Sequence, residues 1–134
     1  MNRWLLKTEP GEYSIKDLEK DAVTVWDGVK APAALKNMRS MKTGDEVLIY
    51  HTGKEKAVVG MGSVVTDPYP DPEQDDERYV VVKIAFGKTL QRPVSLAVIK
   101  KSKLFPDWEL VNQPRLSVVP VSVEQWDKII EWSG

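Results

Sequence analysis

Residues 46–65, EVLIYHTGKEKAVVGMGSVV, hold two runs rich in β-branched and aromatic residues, 46–51 and 57–65, separated by polar residues. Such runs, 4 to 8 residues long or slightly more and bounded by turn chemistry, predict β-strands. Working outward, the same pattern recurs at residues 3–7, 24–26, 79–86 and 117–121. Gly60 and Gly62 fall inside the second run, where a missing side chain permits a sharp bend or a close backbone approach. Six strands in 134 residues predict a strongly curved sheet or a small barrel.

Helices stand between the strands without a regular βαβ rhythm. Ser14-Ile15-Lys16-Asp17 and Ser122-Val123-Glu124-Gln125 fit capping boxes, and Ser95 precedes Leu96-Ala97-Val98-Ile99. A further helix starts near Pro32, a residue favoured in a first turn, and carries Ala33, Ala34, Leu35 and Met38. In the last helix Val123, Trp126, Ile129 and Ile130 share one apolar face. The expected fold is mixed α/β of the α+β type: a small, mostly antiparallel β-barrel flanked by short helices, forming one domain over residues 1–134.

Composition narrows the chemistry. With no cysteine and one histidine, His51, the chain lacks the ligand sets of zinc sites and the nucleophile of thiol enzymes. No metal and no cofactor are expected. The only apolar run near the N-terminus is Trp4-Leu5-Leu6, too short for a signal-peptide core or a membrane span, so the expectation is a cytoplasmic protein with no membrane partner. The net charge of −1 opposes bulk electrostatic binding of long nucleic acid. The distribution is uneven: residues 67–77 carry six acids and no base, and residues 78–103 seven bases and no acid. The second stretch suits either one basic face or an ordinary solvated surface.

Three places carry polar or aromatic groups at strand ends. Lys7-Thr8-Glu9-Pro10 closes the first strand, where a cation, a hydroxyl and a carboxylate line a pocket or form a turn into Ser14. Trp26, followed by Asp27-Gly28-Val29, faces either a cleft or the core. His51 is a base or donor, or else a hydrogen-bonded structural residue. No phosphate loop, nucleophile elbow or dinucleotide fingerprint is present.

The blocks Trp4-Leu5-Leu6-Lys7-Thr8-Glu9-Pro10, Tyr13-Ser14-Ile15, Trp26-Asp27-Gly28-Val29, Met41-Lys42-Thr43-Gly44-Asp45, Tyr50-His51-Thr52, Tyr69-Pro70-Asp71-Pro72, Arg92-Pro93-Val94 and Arg115-Leu116-Ser117-Val118 resemble the EVE domain family. They stand in the family's order and span nearly the whole chain. The resemblance implies a PUA-like fold and a non-catalytic nucleic-acid-binding module that reads a modified base, such as methylated or hydroxymethylated cytosine, in DNA or RNA.

An extruded base needs an aromatic plate and a few fixed donors and acceptors. The resemblance makes Trp26 the plate, beside Lys7, with Thr8 and Asp27 at the base edge. Tyr50, His51 and Thr52, with Arg115, Leu116 and Ser117, would form the opposing wall and contact sugar or phosphate. Two departures stand out. Lys30-Ala31-Pro32-Ala33-Ala34 lacks an asparagine that family members often carry there, and the acidic loop 67–78 is shorter than in many relatives.

Two other functions fit parts of the pattern. Related ASCH proteins include amidohydrolases of modified nucleosides that use Lys, Thr and Glu, which Lys7, Thr8 and Glu9 supply by type. Strand alternation sends Thr8 away from its two neighbours and counts against that set. A protein-interaction module, in which the charged stretches recruit a protein partner, is the other.

Overall fold

The structure, a computed structural model, describes residues 1–134. Its elements run β1 (Arg3–Thr8), α1 (Ile15–Asp21), β2 (Val23–Trp26), α2 (Pro32–Arg39), β3 (Glu46–His51), β4 (Ala57–Val64), β5 (Tyr69–Pro70), β6 (Val80–Ser95), α3 (Leu96–Ser102), α4 (Glu109–Asn112), β7 (Val118–Val121) and α5 (Val123–Ser133). Each expected strand is present. So is each expected helix start: Ser14 and Ser122 make reciprocal capping boxes, Ser95 accepts from the Val98 N–H, and Pro32 opens α2.

The strands form one sheet in the order β2-β6-β4-β3-β1-β7, with β5 paired to β6 beside this path. All neighbours are antiparallel except β1 and β3, which run parallel with Leu5 opposite Leu48 and Lys7 opposite Tyr50. That parallel pair needs a crossover, which the chain between residues 9 and 45 supplies.

The sheet is not closed, which corrects the expectation of a barrel. Its end strands β2 and β7 do not pair with each other. Helix α2 packs against β6, next to one end of the order, and against β7 at the other, so a helix and not a strand ladder joins the two ends. Curvature comes from the long β6, whose pairing with β4 shifts register between Val58 and Gly60 and again between Met61 and Gly62. Bulges of this kind bend a strand and increase its twist. At Gly62 a Cβ would meet the Ala85 carbonyl oxygen at 2.5 Å, so the missing side chain allows β4 and β6 to approach.

Strand β1 lies inside the sheet, and Trp4, Leu5 and Leu6 are all buried, as a strand covered on both faces requires. Around them pack Leu48 and Ile49 of β3, Val82 and Ile84 of β6, Leu18 of α1 and Leu35 of α2. Asp45, itself buried, accepts hydrogen bonds from the Trp4 Nε1–H and from the backbone N–H groups of Asn2 and Lys42, each at 3.0 Å. On α5, Trp126 and Ile129 are buried but Val123 is exposed, so the apolar face begins one turn later than its spacing suggests.

Candidate functional site

Strand β2 ends at Trp26, opposite Val82 of β6, and Gly28 follows with φ of +77° and open space where a Cβ would stand. Only glycine adopts that conformation without strain. The turn ends the strand directly after Trp26. Trp26 is 8% exposed and lines a cavity of about 580 Å³. It is therefore both a core residue and a wall of a cleft. Its ring meets Tyr13 edge to face, with centroids 6.2 Å apart and planes at 87°. The only buried side-chain nitrogen or oxygen without a hydrogen-bond partner is Arg3 Nε, so the Trp26 Nε1–H, which bonds no protein acceptor, is not sealed from solvent.

The cavity is also lined by Lys7, Thr8, Glu9 and Ser117. The Lys7 N–H donates to the Ser117 carbonyl at 3.0 Å, which sets Ser117 beside the end of β1. Lys7, Thr8 and Glu9 all border this cavity, although the Lys7 and Thr8 side chains turn to different partners, the carbonyls of Pro114 and Tyr13. The strand ends at Thr8, and Glu9 already turns, its carbonyl accepting from the N–H groups of Glu12 and Tyr13. Asp27 and Lys30 line it too, both exposed. By formal charge the lining holds three acids, Glu9, Glu12 and Asp27, against Lys7 and Lys30.

The polar groups are held separately. Lys7 Nζ donates to the Pro114 carbonyl at 2.9 Å and lies 5.6 Å from the centroid of the Tyr50 ring. Burial holds its ammonium below the usual lysine range. Thr8 Oγ1 donates to the Tyr13 carbonyl at 2.7 Å, and Glu9 Oε1 accepts from the Gly11 N–H at 2.9 Å. None of the three hydrogen-bonds another, so they do not form a linked nucleophile and base.

The remaining sequence-expected residues lie elsewhere. Tyr50 and Thr52 line a second cavity of about 220 Å³ that shares Lys7 with the first. Arg115 and Leu116 line a third hollow with Ala31 and Ala33. Ala31 thus borders Arg115 at the position where the resemblance leads one to expect an asparagine. His51 is buried and lines none of these three cavities. Its Nε2 accepts from the Ile15 N–H at 3.1 Å and its Nδ1 lies 2.7 Å from Glu55 Oε1. The ring proton accordingly sits on Nδ1, and His51 ties the start of α1 to the end of β3. The acidic loop stays away from the Trp26 cavity: Asp67 accepts from Thr43, and Asp76 binds Arg78. Sequence reasoning missed Tyr13 and Lys30 as cavity residues. Tyr13 falls in a turn, where spacing gives no facing direction.

The EVE domain family model matches residues 2–132. Thymocyte nuclear protein 1 of Rattus norvegicus is 30% identical over 96% of this chain and 72% of its own. Among solved structures, protein Atu2648 from Agrobacterium tumefaciens superposes with a TM-score of 0.94 at 32% identity, covering 100% of this chain and 94% of that one. Human THYN1 protein, solved in complex with 5-methylcytosine-containing DNA, superposes with a TM-score of 0.90 at 26% identity, covering 99% and 98%. With a family match across nearly its whole length and relatives that share its fold from end to end, the chain belongs to the EVE domain family.

Proposed function

We propose that this chain is a non-catalytic DNA-binding module that receives one extruded modified cytosine in the Trp26 cavity. The observation that carries the reading is Trp26, 8% exposed, in the wall of a cavity whose volume of about 580 Å³ lies within the range of roughly 300–1,000 Å³ typical of small-ligand sites. Stacking on an aromatic plate contributes roughly 1–3 kcal/mol per base.

The polar lining suits cytosine. A carboxylate accepts from its exocyclic amino group, a role open to Asp27. The Lys7 ammonium and the Ser117 hydroxyl are donors for the ring carbonyl. Thr8, whose hydroxyl hydrogen is committed to Tyr13, retains acceptor capacity. An acidic lining disfavours a phosphate inside the cavity, so the base enters and the backbone stays out. The DNA complex of the human relative supports the same reading.

The test is a titration of duplex oligonucleotides carrying one 5-methylcytosine, one 5-hydroxymethylcytosine or none, against wild type and Asp27→Asn, with RNA of the same sequence in parallel. Burying one methyl carbon is worth about 0.8 kcal/mol, about a fourfold preference. Wild type should show that preference on DNA, and Asp27→Asn, whose side chain makes no structural hydrogen bond, should weaken both modified and plain cytosine. Equal affinity for every oligonucleotide in wild type would overturn the reading.

A further inference from the structure

The second cavity, on the far side of Lys7, differs in charge from the first. Three lysines, Lys7, Lys56 and Lys100, line it; no acid is among the lining residues, and the Glu9 carboxylate comes up to its rim beside Gly53. They come from separate parts of the chain: the end of β1, the turn before β4, and helix α3. The Leu96 N–H donates to the Lys56 carbonyl at 2.8 Å and fixes the start of α3 against that turn. None of the three ammonium groups lies within ion-pair distance of a carboxylate, although the chain carries twenty acids. The nearest acid in sequence, Glu55, is taken up by His51 at 2.7 Å. The remaining lining is the Thr52 hydroxyl, Gly53 and an apolar floor that includes Tyr50 and Leu110.

Like charges converging on one small cavity repel each other, and Lys7 loses hydration there as well, its ammonium being held below the usual range by burial. Such an arrangement is relieved by an anion that brings negative charge and several acceptor oxygens. Lysine ammonium groups bind phosphate as point charges.

We propose that the Lys7–Lys56–Lys100 cavity binds a backbone phosphate of the DNA strand whose base occupies the Trp26 cavity. The source of the phosphate rests on the DNA-binding reading above; the anion chemistry of the cavity does not. Lys7 lines both cavities, so one side chain borders the base and the phosphate, and the acidic and basic compartments sort the two parts of a nucleotide.

The test uses Lys56→Gln/Lys100→Gln, which changes two exposed side chains and leaves Lys7 and Trp26 in place. Affinity for methylated and plain duplexes is measured across a salt series. The variant should bind both duplexes several-fold more weakly, keep the methyl preference, and lose about one unit from the slope of log affinity against log salt. Unchanged affinity and slope, with the wild-type methyl preference intact, would overturn the phosphate site and leave the base-reading proposal standing. A second arm needs no DNA: inorganic phosphate is titrated into the protein while the backbone amide resonances of Thr52, Gly53 and Lys56 are followed. Saturable shifts in wild type that vanish in the variant support the site, even if wild type shows no methyl preference. Absence of shifts in wild type contradicts it.

Discussion

The rings of Tyr13 and Trp26 meet edge to face, with centroids 6.2 Å apart and planes nearly perpendicular at 87°. The Tyr13 hydroxyl donates to Asp21 Oδ2 at 2.8 Å, so the ring that packs on the tryptophan is anchored to the end of α1. Edge-to-face pairs contribute about 0.5–1.5 kcal/mol beyond area burial. Because the pair is present in the free protein and acts on binding by preorganising the indole, its energy bounds the effect: Tyr13→Ala should lower affinity for methylated DNA by up to about twelvefold, whereas Tyr13→Phe, which keeps the ring, should stay within about twofold. Fluorescence anisotropy titration of both variants checks this.

The phenols of Tyr13 and Tyr50 are both pushed up from their ordinary value, first by burial and, for Tyr13, also by Asp21. A folded-state pKa above the unfolded value of about 10 means that the native state holds the proton more tightly. Their contribution to stability is thus complete below about pH 10 and lost as pH rises through the folded-state values. Titrating phenolate absorbance in wild type, Tyr13→Phe and Tyr50→Phe should show each variant losing a component that ionises above pH 10. A lost component ionising below it would contradict the burial argument.

Asp45 gathers three donors, the Trp4 indole and the N–H groups of Asn2 and Lys42, at a buried position where β3 begins. Hydrogen bonds to a charged group contribute about 1.5–3 kcal/mol, and stranding a buried donor costs about 1–3 kcal/mol. Asp45→Ala should destabilise the fold by about 3 kcal/mol or more, and Trp4→Phe, which removes one donor and keeps an aromatic ring, by less. Urea unfolding of the two variants orders them.

Gly60 and Gly62 make a graded pair. A Cβ at Gly62 would stand 2.5 Å from the Ala85 carbonyl oxygen, a backbone atom that cannot move without breaking the β4–β6 ladder. A Cβ at Gly60 would meet chiefly the end of the Ile15 side chain, at 2.4 Å, with the Lys88 carbonyl at 3.0 Å. Side-chain ends can rotate away, so Gly62→Ala should lower the midpoint of thermal unfolding more than Gly60→Ala. The reverse order would place the close approach elsewhere in β4.

Local signals in the sequence located nearly every element, because capping boxes and apolar runs act within a few residues of where they stand. Ser14, Ser95 and Ser122 each cap the helix expected of them. Closure of the sheet is not local. It depends on whether β2 and β7 meet, and helix α2, legible as a helix, gives no sign in its own residues of the strands β6 and β7 against which it packs. Likewise β6 runs on from Phe86 to Ser95 through polar residues that alternation does not mark as a strand. At the site, the Asp-Gly turn after Trp26 leaves cleft and core both open, and the structure gives the residue a place in each. His51 was not assignable, because Ile15, which occupies its Nε2, meets it only through the tertiary fold. The division of Lys7, Tyr50 and Thr52 between two cavities likewise follows from the parallel pairing of β1 with β3, a long-range register.

The most direct measurement follows the indole N–H resonances of the five tryptophans while DNA carrying one 5-methylcytosine is added, the Trp26 signal being assigned with Trp26→Phe. Trp4 and Trp108 already donate to Asp45 and to the Pro120 carbonyl and are buried, so their signals should hold still. The Trp26 resonance should move through the ring current of the stacked base and saturate at the binding stoichiometry. Tight DNA binding that leaves the Trp26 resonance where it stood would contradict the account.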